Sequence, residues 1–149
     1  VGAGSMANYV HYPSLASFDD VEVAGICDLN PERLHATADK YGIARRYQDY
    51  RQMVEEVAPE AIYVIGHPDQ MYPVWVWCLE QGLHLYIEKP MGMSIHQARS
   101  LAHLAEKHGC ITQVSFQRRR SASGAVPSCT RCANSTSTAL GRTSRRETC

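Results

Sequence analysis

Glycine occupies positions 2 and 4 of this chain, and a small residue, Ala7, follows three positions later. In such a G-x-G-x-x-A pattern the first glycine makes a tight turn and the second lets the backbone approach a pyrophosphate. The small third residue lets a helix pack closely on a strand. The free amides and the dipole at the N-terminus of the following helix favour an anion. The pattern therefore predicts a site for the phosphates of a dinucleotide, formed by Gly2, Gly4, Ser5, Met6 and Ala7.

An acidic residue, Asp28, follows the apolar run 21–27, which is typical of a buried strand. Its distance from the glycines is close to the roughly 20 residues at which a carboxylate accepts hydrogen bonds from the ribose of a dinucleotide. A carboxylate there also repels the 2′-phosphate of NADP, so the sequence favours NAD. Two alternatives stay open. Asp28 could cap the helix that begins after Asn30, and Arg33 could meet a 2′-phosphate and so admit NADP.

These residues need a scaffold, and strand and helix patterns alternate along the first 120 residues. Such alternation predicts an α/β fold with a doubly wound parallel sheet, the Rossmann arrangement. Pro13 should end or kink the first helix early, because proline removes a backbone donor. The expected helices are 6–17, 31–41, 50–57, 72–81 and 94–108, and the expected strands are 21–27, 46–47, 61–65, 84–88 and 112–116.

The two ends of the chain depart from this pattern. A sheet of this class has a central strand of about five residues leading into the glycine turn, so we expect the first strand to be truncated. Residues 121–149 are rich in Ser, Thr, Ala and Arg. They are expected to form a disordered tail or an out-of-frame read-through. The predicted organisation is thus a dinucleotide-binding domain at 1–120 and a tail at 121–149.

Length and composition are ordinary for a globular protein. A chain of 149 residues corresponds to about one domain, and its formal charge of zero gives no electrostatic argument for nucleic acid or an anionic membrane. No apolar run approaches the roughly 18 residues of a membrane-spanning helix. No basic segment followed by an apolar stretch opens the chain. We therefore expect a soluble, cytoplasmic protein with neither nucleic-acid nor membrane partners.

A third motif, Glu88-Lys89-Pro90, follows the predicted strand 84–88. With the glycine turn and Asp28, it makes residues 1 to about 120 resemble the Gfo/Idh/MocA oxidoreductases, which include glucose–fructose oxidoreductase and inositol dehydrogenase. The resemblance implies an NAD(P)-binding domain followed by an α/β domain that supplies much of the sugar pocket. It implies hydride transfer between a nicotinamide and a sugar or cyclitol alcohol, and oligomers that form mostly through the second domain.

The resemblance also implies a role for each residue of the third motif. Glu88, Lys89 and Pro90 would lie near the nicotinamide, with a peptide bond before the proline that is often cis. Lys89 would be the catalytic residue, which hydrogen-bonds the substrate hydroxyl and helps to deprotonate it. An ammonium group there stabilises an alkoxide-like oxygen as the proton leaves. Without the family, the residues alone favour a surface turn in which Glu88 and Lys89 are solvated and Pro90 starts a loop.

Two further segments acquire roles through the resemblance. At 65–72 the family usually shows T-P-x-x-x-H along the cofactor, whereas this chain has histidine in place of the threonine and tyrosine in place of the histidine. His67 and Pro68 remain expected cofactor contacts, and Gln117 and Arg118 are expected to face the substrate. The family's catalytic Asp and His come from the second domain, and no such segment follows residue 120. The alternative is therefore a non-catalytic remnant that binds at most a dinucleotide.

Other motifs carry no chemistry. The C-x-x-C pair at 129–132 lacks a second pair of ligands, so no metal site is predicted. The three cysteines before residue 120 are expected to be reduced core residues. Trp75 and Trp77 are expected to pack one helix against the sheet, with a partner surface as the alternative.

Overall fold

The computed structural model describes residues 1–116. A π-helical turn (Ala7–His11) leads directly into a short helix, and strands and helices then alternate along the chain, which confirms the α/β fold. The predictions for Gln117, Arg118 and the segment 121–149, with its C-x-x-C pair, lie outside the described residues. The elements are α1 (Tyr12–Leu15), β1 (Ile26–Cys27), α2 (Pro31–Tyr41), β2 (Arg46–Tyr47), α3 (Tyr50–Val57), β3 (Ala61–Val64), α4 (Pro68–Glu80), β4 (His84–Ile87), α5 (Ile95–His108) and β5 (Thr112–Val114).

The strands are parallel and form two ladders, β1-β2 and β3-β4-β5. Residues 1–3 lie between the ladders and bond to both. The N–H of Gly2 donates to the carbonyl of Cys27 at 2.8 Å, and the N–H of Ile65 donates to the carbonyl of Val1 at 2.8 Å. The spatial order is thus β2, β1, residues 1–3, β3, β4 and β5. This is the order of a doubly wound sheet, with the glycine turn at the point where the order reverses.

Strand β1 is shorter than predicted. The apolar run 21–27 suggested seven residues, but within residues 1–116 only Ile26 and Cys27 pair with a neighbouring strand. A ladder requires a partner at each position. Strand β2 supplies partners for two residues, and residues 1–3 reach β1 only at Cys27. The prediction of strand structure at residues 21–25 was therefore wrong. These residues have strand propensity, but a strand also needs a neighbouring strand to hydrogen-bond with.

The first helix also differs from its prediction. It opens with the π-helical turn, continues two residues past Pro13 and ends at Leu15, short of the predicted residue 17. Proline has no N–H to donate. The carbonyl of Asn8, five residues before Pro13, instead accepts a hydrogen bond from the hydroxyl of Tyr41 at 3.2 Å. A side chain from α2 thus satisfies the backbone group that the proline leaves free.

The later helices follow their sequence signals closely. Helix α2 has the predicted bounds, and the side chain of Asn30 caps it by accepting the N–H of Arg33 at 3.0 Å. Helix α3 also has its predicted bounds. Helix α4 begins at Pro68, four residues before its predicted start. A proline at the first helical position costs no hydrogen bond, so it can begin this helix.

Two hydrophobic clusters fill the interior. The larger one surrounds Trp75, whose side chain is fully buried against residues of β3 and β4, while Trp77 meets the ring of Tyr50 edge-on at 5.2 Å. Both tryptophans serve packing, as predicted. The smaller cluster includes Ala7 and Ile26 and joins the first helix to β1. None of the helices within residues 1–116 is long and apolar enough to cross a membrane.

The described cysteines are free thiols, as predicted. Cys27 and Cys78 are buried and Cys110 is half-buried. Burial raises the pKa of each thiol, and that of Cys78 reaches about 12. Such thiols stay protonated and unreactive at neutral pH.

Candidate functional site

The two glycines of the turn have different structural demands. Gly2 has φ +99°, and a Cβ at this position would lie 2.0 Å from the carbonyl oxygen of Ile65. Only glycine fits there, because the turn is pressed against the chain that leaves β3. Gly4 has no atom within 4 Å of where a Cβ would lie. The fold itself therefore leaves the space at Gly4 open.

The rest of the turn is held by the packing of Ala7 and by the hydrogen bonds of Asn8. Ala7 is fully buried in the smaller cluster, so the small residue that the motif requires does pack against β1. Asn8 donates through Nδ2 to the carbonyls of Ala3 and Gly4, at 2.9 and 3.3 Å, and to Oγ1 of Thr37 at 2.9 Å. Ser5 and Met6, at the mouth of the turn, are exposed. The residues at the start of the helix thus lie at an accessible surface.

Asp28 is buried at the carboxyl end of β1 and orders the turn. Its Oδ2 accepts the N–H of Ala3 at 2.7 Å. Its Oδ1 accepts the N–H of Asn30 at 2.8 Å and Nη2 of Arg33 at 3.3 Å. A carboxylate offers about four acceptor positions, and the described residues fill three of them. One position on Oδ2 is left for a further donor such as a ribose hydroxyl. Asn30, rather than Asp28, caps α2.

The segment after β3 lies at the same edge of the sheet. Pro68 is buried at the first position of α4, and His67 precedes it with an exposed side chain. Nδ1 of His67 lies 2.5 Å from Oδ1 of Asp69, and this hydrogen bond lowers the pKa of the aspartate. Tyr72 lies within α4 and packs against the larger cluster. Its place in a helix agrees with the helix predicted from residue 72 onward.

The Glu88-Lys89-Pro90 motif follows β4, as predicted, and the Lys89–Pro90 bond is cis. Lys89 is exposed, whereas Glu88 is buried. Oε1 of Glu88 lies 2.6 Å from Nε2 of His11, and Oε2 accepts the backbone N–H of Lys89 at 3.3 Å. The alternative of a solvated turn is therefore wrong for the glutamate, which is fixed inside the protein.

Parallel strands bring these groups to one edge of the sheet. The carboxyl ends of β1, β3 and β4 all meet the glycine turn at the same edge, where doubly wound folds bind their ligands. Asp28 lies on one side of the turn, and residues 65–68 and 88–90 lie on the other. The arrangement can hold a pyrophosphate at the centre, a ribose hydroxyl at the acidic side, and a reacting group beside the lysine.

Sequence reasoning missed His11 and Asn8. Both lie in the first helical segment, where a polar residue usually faces solvent. One signal for His11 was available: it follows the buried Ala7 by four positions, so the two residues share one face of the helix. Within residues 1–116, no group of three or more His, Cys, Asp or Glu side chains is placed to hold a metal ion.

The sequence matches the model of an oxidoreductase family with an NAD-binding Rossmann fold over residues 1–116. It is 32% identical to D-glucoside 3-dehydrogenase of Escherichia coli over 119 residues, which cover 80% of this chain and 34% of that enzyme. The chain therefore spans about a third of the length of this relative.

Solved structures show the same fold. A Gfo/Idh/MocA family oxidoreductase from Vibrio cholerae matches with a TM-score of 0.75 at 29% identity, over 79% of this chain and 37% of that one. Scyllo-inositol dehydrogenase from Lactobacillus casei, solved with NAD(H) and scyllo-inositol, matches with a TM-score of 0.74 at 20% identity, over 81% and 36% of the two chains. The chain belongs to the Gfo/Idh/MocA oxidoreductase family, and residues 1–116 form an NAD-binding Rossmann domain of that family.

Proposed function

We propose that this chain is the cofactor-binding part of an NAD-dependent oxidoreductase that acts on an alcohol group of a sugar or cyclitol. The observation that carries the proposal is the placement of Lys89. It is an exposed cation at the carboxyl end of β4, across the glycine turn from Asp28. The names of the E. coli and L. casei relatives, a glucoside dehydrogenase and an inositol dehydrogenase, support the substrate class.

We assign the cofactor phosphates to the turn that includes Gly2, Gly4, Ser5, Met6 and Ala7. Ser5 and Met6 at the start of the helix are exposed, and the absence of a side chain at Gly4 leaves room for a close approach of the pyrophosphate. On the far side of the turn, His67, Pro68, Glu88 and Pro90 shape the nicotinamide end. Among them, Pro68 and Glu88 contribute buried surface, and His67 contributes an exposed ring.

We assign the ribose of the adenosine half to Asp28, and this assignment favours NAD over NADP. The remaining acceptor position of its carboxylate suits a hydroxyl donor and repels a 2′-phosphate. Arg33 already reaches toward that carboxylate, with Nη2 at 3.3 Å from Oδ1. The Arg33 side chain is 57% exposed, so a rotamer change could turn its guanidinium toward a phosphate. NADP therefore remains the alternative cofactor.

In the proposed reaction, NAD bound at this edge of the sheet would supply the hydride acceptor. Lys89 would donate a hydrogen bond through Nζ to the substrate hydroxyl oxygen and stabilise the negative charge that develops there while the hydroxyl proton passes to solvent. Gln117 and Arg118 are proposed to contact the same substrate. We place the protein in the cytoplasm, without nucleic-acid or membrane partners. Oligomers would form through a second domain, as the family resemblance implies.

A second candidate function is NAD binding without catalysis. The observation that favours it is the make-up of the site, because residues 1–116 supply groups for the whole cofactor but a single side chain, Lys89, for the substrate. Steady-state oxidation of a panel of sugars and cyclitols, followed by NADH absorbance, separates the two candidates. Turnover that Lys89→Gln lowers by about 100-fold or more, with NADH affinity unchanged, supports the oxidoreductase. NADH binding without turnover on any substrate of the panel supports the non-catalytic candidate.

A further inference from the structure

The pair formed by His11 and Glu88 connects two distant parts of the chain inside the protein. The residues are 77 positions apart, their side chains are 6% and 8% exposed, and Nε2 of His11 lies 2.6 Å from Oε1 of Glu88. The imidazole also meets the rings of Tyr86 and Tyr63 edge-on, at 5.4 and 6.2 Å. Both partners are therefore held in fixed, largely dry surroundings.

The pair sets the orientation of Glu88. A buried carboxylate is costly unless its oxygens are hydrogen-bonded. Among the described residues, its donors are the ring N–H of His11 on Oε1 and the backbone N–H of Lys89 on Oε2. The carboxylate therefore lies between the first helical segment and the peptide group of the lysine.

His11 also belongs to the helical segment that follows the glycine turn. It is the last residue of the π-helical turn, which begins at Ala7. A rigid path thus runs from the turn, through His11 and Glu88, to the backbone of Lys89. The path joins the turn assigned to the pyrophosphate, at the middle of a dinucleotide, to the segment assigned to its nicotinamide end.

We propose that His11 is a positioning residue for the nicotinamide end of the cofactor. It holds Glu88, and through Glu88 the Lys89–Pro90 segment, at a fixed distance from the pyrophosphate turn. The inference rests on the proposed function, because it takes Lys89 to lie beside the nicotinamide. A purely structural role for His11 makes a different prediction, since a general loss of order weakens binding of every part of the cofactor.

The test compares two ligands, NADH and ADP-ribose, which lacks the nicotinamide ring. Calorimetric titration of the full chain measures both affinities for the unsubstituted protein and for His11→Leu, which removes the donor. We expect His11→Leu to weaken NADH binding by about tenfold, the effect of one lost hydrogen bond to a charged group, with ADP-ribose affinity unchanged within about twofold. His11→Gln, which can still donate to the carboxylate, should restore much of the NADH affinity.

Two further variants keep the test decisive if His11→Leu folds poorly. Glu88→Gln preserves shape and the acceptor for His11 but removes the charge, and it should also weaken NADH more than ADP-ribose. His103→Leu replaces an exposed histidine of α5 and should change neither affinity. Equal weakening of both ligands in folded variants, or no change in either, overturns the inference alone. Failure of the unsubstituted chain to bind NADH overturns the proposed function and the inference with it.

Discussion

At the scale of single residues, the two glycines of the turn have different roles: Gly2 is needed for stability and Gly4 for cofactor binding. Substitution of each by alanine should show this difference. Gly2→Ala places a methyl group 2.0 Å from the carbonyl oxygen of Ile65 in a backbone conformation with φ +99°. Positive φ alone costs a non-glycine residue about 1–3 kcal/mol, and the clash adds to that. We expect a loss of at least about 3 kcal/mol in the free energy of unfolding, measured by urea denaturation.

Gly4→Ala is the matched control for that experiment. Its Cβ meets nothing within 4 Å, so stability should stay within about 0.5 kcal/mol, which is usual for a substitution away from packed features. NADH binding should nevertheless weaken by about tenfold or more, because the methyl group fills the space that the pyrophosphate needs. An equally stable Gly4→Ala variant with unchanged NADH affinity would contradict the phosphate assignment.

Catalysis is assigned to one exposed residue, and this assignment can be tested separately from folding. Lys89→Gln should leave thermal stability and NADH affinity near their original values, because its side chain has no hydrogen-bond partner among the described residues and is exposed. Turnover should fall by about 100-fold or more. Lys107→Gln, at the end of α5, is the control and should not change turnover. A Lys89→Gln variant that keeps full turnover removes the lysine from the mechanism.

At the scale of elements, the buried thiol of Cys78 in α4 links stability to alkaline pH. Its pKa is raised by burial from 9.0 to about 12. Because the folded value exceeds the unfolded one, stability is complete below pH 9 and is lost as pH rises toward 12. At pH 10.5 the loss should be on the order of 2 kcal/mol from this group. Urea unfolding of Cys78→Ala at pH 7 and 10.5 should show a smaller decrease, and an identical decrease would exclude the thiol as its cause.

The space between residues 21–25 and β3 offers a second test at this scale. A groove of about 620 Å³ lies there, and its lining includes Val23, Gly25 and Ile62. The amino group of Val1 points to the carbonyl of Tyr63 at 2.6 Å, and burial lowers its pKa. An amide in its place would form the same bond without a buried charge.

An added strand should therefore fill the groove. Extension of the chain before Val1 by about five β-branched residues, a usual strand length, should raise the melting temperature and lengthen β1 toward residue 21. An extension of five Gly and Ser residues is the control for length. If the apolar extension melts no higher than the control, the groove does not accept a strand.

The same elements show which features of the fold could be predicted from sequence. Helices α2 and α3 and strand β2 have their predicted bounds, because caps, proline and helical period are local signals. The failures are non-local. Residues 21–25 have strand propensity but find no strand partner in the described part of the chain, and the His11–Glu88 pair spans 77 positions. A sequence pattern does not specify contacts of that kind.

At the scale of the whole molecule, the sequence predicted which motifs lie together at one edge of the sheet better than it predicted where each strand begins and ends. Asp28 and the Glu88-Lys89-Pro90 motif each follow a strand, the glycine turn lies between the two ladders, and parallel strands must bring their carboxyl ends to one edge. The topology therefore gathers these groups even where a strand is shorter than expected. The sequence could not reveal the contacts that hold these groups in place. Asn8 hydrogen-bonds the backbone of the turn, and His11 hydrogen-bonds the carboxylate of Glu88.

Binding of NAD to residues 1–116, with Asp28 at the ribose, can be measured by calorimetric titration with NADH and NADPH. Asp28→Ala is compared with Asp39→Ala, an exposed aspartate of α2, after thermal melting has shown that both variants fold. If Asp28 binds the ribose, the original chain and Asp39→Ala should bind NADH more tightly than NADPH. Asp28→Ala should lose NADH affinity and the preference for NADH. Absence of NADH binding by the original chain, or an unchanged NADH affinity and an unchanged preference for NADH in Asp28→Ala, would contradict the assignment of Asp28 to the ribose of NAD.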